Sequence, residues 1–241
     1  MKSILQDLLN HLQEDHPVKS IGVYAHWILV ESLHSGMAST VLSDLPHGED
    51  LVSEAGHLLE KSALELAALS LSNNTLEAGI GLAAINSLIE LPQGDLKKGN
   101  VVQILKENSQ EKKVAIIGHF PFIPKLKEIA ETIWVFDLRP AEGDLSPEKA
   151  PGILPQADVV AMTANTLITK AAEEYLKLCK PSALKIMMGP STPMIPLLFD
   201  HGFDVLAGSY ITNFELARQY ISQGASYSQV EGVEKFTLIK E

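Results

Sequence analysis

Residues 187–211, MMGPSTPMIPLLFDHGFDVLAGSYI, carry the reading that decides the fold. An apolar run at 184–188 breaks at Gly189-Pro190-Ser191-Thr192-Pro193, passes through a helix-like segment at 194–200 and returns to an apolar run at 204–207. This reads as a strand, a tight loop, a helix N-terminus and a further strand. Such a loop leaves backbone N–H groups beside two hydroxyls and in front of a helix dipole, which suits a phosphate, a carboxylate or an oxyanion. The competing account is structural: Ser191 or Thr192 caps the helix.

The same grammar extends on both sides. Strand-like runs stand at 114–118 (VAIIG), 133–137 (IWVFD), 157–162 (ADVVAM) and 234–239 (EKFTLI), with helices expected over 122–130, 166–178 and 213–223. Continuous apolar strands alternating with helices predict an α/β fold with a mostly parallel sheet covered on both faces. Ligands of such sheets sit at the carboxyl ends of the strands. There this chain places Gly118 and His119, then Asp137 and Arg139, then Thr163, Asn165 and Thr166, and finally Gly189, Pro190, Ser191 and Thr192. The Gly118 loop lacks the further glycines of a dinucleotide fingerprint, so an ordinary NAD site is not expected. Asp137, about 20 residues on, stands where an acidic residue holds ribose hydroxyls, which keeps a nucleoside ligand such as S-adenosylmethionine open beside a strand-end Asp that caps a turn. No Gly-x-Ser-x-Gly elbow and no Walker loop occur.

Upstream the pattern differs. Ile4, Leu5, Leu8, Leu9 and Leu12 predict a first helix of about 12 residues before Pro17. Runs at 18–24, 27–33 and 37–42, with a turn at Ser35-Gly36, predict a small antiparallel sheet, and helices are expected over 50–59 and 61–71. After the polar interruption at 70–75 the helical pattern resumes up to Pro92. Asn74 there is either a helix cap or a ligand-facing amide, Glu77 a first-turn carboxylate or a site residue, and Asn86 a core-edge or site amide. The composition shift at 91–100 divides the chain into a smaller α+β domain (1–95), a linker with a short helix (96–112) and the α/β domain (113–241).

A formal charge of −11 disfavours nucleic acid as a partner. The lone Cys179 cannot form an internal disulfide and reads as a packed, inert thiol. Apolar runs are too short to span a bilayer, and the first residues have no secretory core, so a soluble cytoplasmic protein with no membrane partner is expected. The eight histidines show no HExxH and no Cys/His zinc spacing.

Together SLSNNTLEAGIGLAAIN (70–86), IGHFPF (117–122), VFDLRP (135–140), LPQADVVAMTANTLITK (154–170) and the 187–211 stretch resemble the family described as "putative heavy-metal chelation", with motifs in the same order from about residue 18 to 224. The resemblance implies an enolase-N-terminal-like domain followed by a Rossmann-like domain, with a cleft between them as the site and metal or tetrapyrrole-type ligands. It sets Asn74, Glu77 and Asn86 opposite Gly118, His119, Asp137, Arg139, Thr163, Asn165, Thr166, Gly189, Pro190, Ser191 and Thr192. Ser72-Asn73-Asn74 and Thr163-Ala164-Asn165 depart from the pattern of the relatives.

Three uses of these residues follow. In the first, two domains close over a divalent metal ion or a metal chelate held by Glu77, His119 and Asp137. In the second, an enzyme binds an anionic or nucleotide-like molecule on the Gly189 loop, with Glu77 or His119 as its catalytic acid or base. The third is a non-catalytic oligomeric scaffold, and a homodimer is the expected assembly.

Overall fold

The computed structural model describes residues 3–42, 51–91, 96–99 and 101–241. His47, the start of the helix expected from residue 50, and half of the expected boundary segment 91–100 lie outside them.

The first helix, α1 (Ile4–His11), is shorter than expected and buries Ile4, Leu5 and Leu8. It lies against the C-terminal part of the chain: the Ile4 N–H donates to Glu173 Oε1 at 2.9 Å, and Asp7 faces His201 at 3.2 Å. Strands β1 (Ser20–Val23), β2 (Trp27–Glu31) and β3 (Ser35–Ser39) form an antiparallel meander in that order. The turn falls at 32–34 rather than at Ser35-Gly36, which open β3. Packing is the reason. A Cβ on Gly36 would stand 2.1 Å from the Ala83 carbonyl oxygen, so this glycine serves close approach to a helix and not a turn.

No helix forms over 51–57; a short 3₁₀ turn, Leu58–Glu60, precedes α2 (Ala63–Ala68), which opens on a capping box between Ser62 and Glu65. A second 3₁₀ turn, Leu69–Leu71, leads to α3 (Thr75–Leu88). Apolar on all sides, α3 is buried on all sides, as such a helix must be.

The main sheet contains β4 (Lys97–Lys98), β5 (Lys113–Ile117), β6 (Thr132–Phe136), β7 (Val159–Thr163), β8 (Leu184–Met188), β9 (Val205–Ile211) and β10 (Val233–Ile239). Among the described residues its order is β4-β10-β9-β8-β7-β5-β6. Strands β5 to β9 are mutually parallel, while β10 and β4 complete the other edge antiparallel. The segment read as a linker thus supplies an edge strand and α4 (Val101–Ser109). Within the parallel part the chain runs β5 to β6, then back past β5 to β7, so the strand order reverses between β5 and β7. That switch point opens a crevice at the strands' carboxyl ends.

Alternate residues of each strand face opposite sides. Ile116, Val159, Ile186 and Met188 pack under α4 and α5 (Ile123–Lys127), whereas Ile117, Val160, Met162 and Met187 belong to a second core. That second core includes α6 (Ala150–Ile153), α7 (Asn165–Ile168), α8 (Ala172–Leu178) and α9 (Leu197–Asp200) and runs on without a break into α1, α2 and α3. The N-terminal elements and the large sheet therefore share one core. α10 (Phe214–Ser222) packs Ala217 and Ile221 against Leu29 of β2.

Two helix expectations change. The helix expected over 166–178 is two helices, broken at Lys170, whose φ is +61°. The break brings the Lys170 ammonium to the Ser70 carbonyl, and burial lowers its pKa to about 8. The helix expected from 194 begins only at Leu197 and lasts one turn. Pro193 and Pro196 each push the preceding residue out of the helical region, so the loop after β8 does not run into a helix N-terminus. The dipole argument for anion binding there fails with it.

Candidate functional site

A cleft of about 1040 Å³ runs along the carboxyl ends of the parallel strands. Its lining includes Gly118, Thr163 and Gly189 from the ends of β5, β7 and β8, and Gly208 of β9, where that strand's pairing with β8 stops. Gly118 has φ +100°, and a Cβ there would lie 3.0 Å from Thr163 Cγ2. Only glycine lets the two loops of the switch point meet so closely. From the N-terminal elements Trp27, Ser39 and Val41 reach the cleft wall.

His119 stands on the loop after β5, lines the cleft and keeps its side chain 55 % exposed. Its Nδ1 lies 3.0 Å from Oδ2 of Asp144, whose own side chain is only 5 % exposed and also accepts the Ala141 N–H. A buried carboxylate on one ring nitrogen fixes the imidazole and leaves Nε2 for a ligand, the arrangement that orients histidines on metals. Nε2 makes no hydrogen bond among the described residues. Asp144 was not singled out from sequence: it lies 25 residues from His119 in a loop of ordinary turn composition, and nothing local couples the two.

Asp137 follows β6 and lines the cleft, with Oδ1 accepting the Arg139 N–H at 2.9 Å. Arg139 itself is exposed and does not line the cleft. Thr163, Asn165 and Thr166 do; the Thr166 hydroxyl donates to the Thr163 carbonyl at 2.8 Å, and the Asn165 N–H donates to Thr163 Oγ1. Gly189 and Pro190 also line it. The Gly189 N–H is not held out for an anion, since it donates to the Ala207 carbonyl.

Of the remaining expected site residues, Ser191 and Asn86 form a seam between the N-terminal elements and the sheet, while Asn74 and Glu77 bond within the N-terminal elements. Ser191 is buried. Its Oγ accepts the Ser39 N–H at 2.9 Å and lies 3.2 Å from both Ser39 Oγ and Asn165 Oδ1. Asn86 donates through Nδ2 to the carbonyls of Met37 and Ser191. Thr192 is buried beside them in sequence. Asn74 is the N-cap of α3, accepting the N–H groups of Leu76 and Glu77. Glu77 is 8 % exposed and lies outside the cleft lining. Its carboxylate accepts from the Ser72 hydroxyl at 2.6 Å and the Ser53 N–H at 2.8 Å. Burial alone would raise its pKa, but these donors outweigh burial and hold it below the ordinary carboxylate value.

The expected set of Glu77, His119 and Asp137 is therefore not gathered at one point. Among the described residues no group of three or more His, Cys, Asp or Glu side chains is placed to hold a metal ion. Cys179 is half-buried, and burial pushes its thiol up to about 11, so it is an inert structural residue.

Cationic side chains add to the lining of the cleft. Lys106 of α4, Lys125 of α5 and Lys235 of β10 all line the cleft, and none pairs with a carboxylate among the described residues. The carboxylates on the same lining are Asp137 and Glu174. In a chain of net charge −11 this is a local reversal of sign, hidden in the sequence because the three lysines come from separate elements.

Comparison with known proteins agrees with this architecture. Residues 100–240 match the DUF364 family profile and residues 5–89 the DUF4213 profile, both described as "Putative heavy-metal chelation". An uncharacterised protein of Methanocaldococcus jannaschii is 27 % identical over 245 residues, covering 95 % of this chain and 92 % of the relative. A crystal structure of a DUF364 protein of unknown function from Desulfitobacterium hafniense superposes with a TM-score of 0.87 at 25 % identity over 98 % of each chain. A second, from Pyrococcus horikoshii, gives 0.80 at 22 % identity, covering 99 % of this chain and 98 % of its own. No helix among the described residues is long and apolar enough to cross a membrane. With the same sheet, the same added N-terminal elements and profile matches over most of its length, the chain belongs to the DUF364 family described as "Putative heavy-metal chelation".

Proposed function

We propose that the cleft binds a metal ion that arrives already chelated by a small organic, anionic molecule. The observation that carries this reading is His119, oriented by the buried Asp144 in a cleft with no multi-residue cage for a bare ion. A chelate supplies most of its own ligands and needs one or two from the protein. Lys106 and Lys125, neither paired with a carboxylate among the described residues, suit its carboxylates, and a volume of about 1040 Å³ is ample for a cofactor-sized molecule.

Calorimetry with Ni²⁺–nitrilotriacetate, bare Ni²⁺ and metal-free nitrilotriacetate tests it. The chelate should bind at least tenfold more tightly than either component, His119→Ala should abolish that preference, and Asp144→Asn should weaken it by about 10–100-fold. Equal binding of bare Ni²⁺, or no change in His119→Ala, overturns the reading.

One observation favours a second ligand class. Asp137 follows β6, the strand next to β5, and lines the cleft where a ribose hydroxyl would be met. If the ligand is nucleoside-bearing, S-adenosylmethionine will raise the unfolding temperature of the wild type and not of Asp137→Ala.

A further inference from the structure

At the far end of the cleft from His119, residues from three separate elements meet. Trp27 comes from β2, Tyr227 from the connection between α10 and β10, and Lys235 from β10, and all three line the cleft. The Trp27 and Tyr227 rings lie 5.8 Å apart at 53°, and the Lys235 ammonium sits 4.6 Å from the centre of the Tyr227 ring. The Tyr227 hydroxyl is tied to Ser209 Oγ, which anchors the ring. Lys235 has no carboxylate partner among the described residues, so its charge stands beside the aromatic pair with no counter-ion from those residues.

The sheet supplies the distance. From β5, which carries His119, to β10, which carries Lys235, are four inter-strand steps of about 4.8 Å, or roughly 19 Å in all. Lys235 is paired with Ser209 at the carboxyl end of β9, so it belongs to the same rim as His119.

We infer that this corner is a second subsite that takes a planar aromatic group carrying a carboxylate or phosphate. The ring packs on the aromatic side chains, and the anion accepts from Lys235. The inference rests on the cleft being a ligand site, as proposed above, and deepens that reading: the organic part of the ligand reaches about 19 Å, four strand spacings, beyond the metal end. An isolated small chelate would leave this corner empty.

The test uses metal-free protein and pyridine-2,6-dicarboxylate, with the saturated cyclohexane-1,3-dicarboxylate as control, followed by calorimetry and tryptophan fluorescence. The aromatic dicarboxylate should bind saturably and at least tenfold more tightly than the saturated one. Lys235→Gln and Tyr227→Leu should each weaken it about tenfold, with unchanged circular dichroism showing that both variants fold, and His119→Ala should leave it unchanged. Equal binding of the two dicarboxylates, or loss in His119→Ala, overturns the second subsite. The two readings fail separately: Ni²⁺–nitrilotriacetate binding that depends on His119, with no binding of the aromatic dicarboxylate, sinks this inference alone. Aromatic binding that survives while the nickel chelate fails to bind sinks the metal reading alone.

Discussion

The seam and the rim of the cleft lie within one residue of each other at Pro190 and Ser191, yet they use their polar groups in opposite ways. At the seam the side chains reach across to the other part of the chain: Ser191 to Ser39, Asn86 to Met37 and Ser191, Lys170 to Ser70. Even the atoms left unpaired there, Asn86 Oδ1 and Thr192 Oγ1, are buried away from solvent. At the rim Lys106, Lys125 and Lys235 line the cleft with no carboxylate partner among the described residues, and His119 keeps one ring edge open. Residue type does not separate the two regions. What separates them is whether a second piece of the chain arrives to take the hydrogen bond.

The contrast breaks most visibly where backbone meets backbone. A Cβ on Gly81 of α3 would stand 1.9 Å from the Ser70 nitrogen, whereas one on Gly152 of α6 meets nothing within 4 Å. Gly81→Ala should cost about 3 kcal/mol in urea unfolding, and Gly152→Ala should be neutral or slightly stabilising. Equal effects would mean that α3 does not sit against the Ser70 turn.

Next comes Glu77. A glutamine there can accept from only one of its two donors, so Glu77→Gln should cost about 2 kcal/mol near neutral pH. Because the folded-state pKa is lowered, the wild-type contribution is fully present above the ordinary value of 4.5 and disappears as pH falls through the lower folded value. Wild type and Glu77→Gln should therefore converge in stability on acidification below pH 4.5. A variant that keeps full stability but loses ligand would move Glu77 from the fold to the site.

Ser191→Ala should cost about 1 kcal/mol, since it strips the Ser39 N–H of its acceptor. The smallest effect belongs to the rim. His119→Ala should change stability by no more than about 0.5 kcal/mol while removing chelate binding. A large loss of stability there would make the His119–Asp144 pair part of the fold instead of the site.

Much of the sheet was legible from sequence, because buried parallel strands are apolar without interruption and their runs at 114–118, 133–137 and 184–188 stand out from any flank. Helix ends were less legible. Lys170 and the prolines at 193 and 196 broke expected helices through backbone geometry that apolar spacing does not register. Gly36 looked like a turn, since a glycine needed for close packing and one needed for a bend are the same letter.

The sequence by itself determined the α/β class, the order of the strands along the chain and the polar residues at their carboxyl ends, because local periodicity and loop composition encode those directly. Only the tertiary structure decided which of those residues face the cleft. It placed the switch point between β5 and β7, gave His119 its partner Asp144 and gathered Lys106, Lys125 and Lys235 around one cleft. It also committed Asn74, Glu77, Asn86 and Ser191 to hydrogen bonds within the fold. Each of these outcomes depends on which distant segment arrives opposite a side chain, and that information is spread over the whole packing.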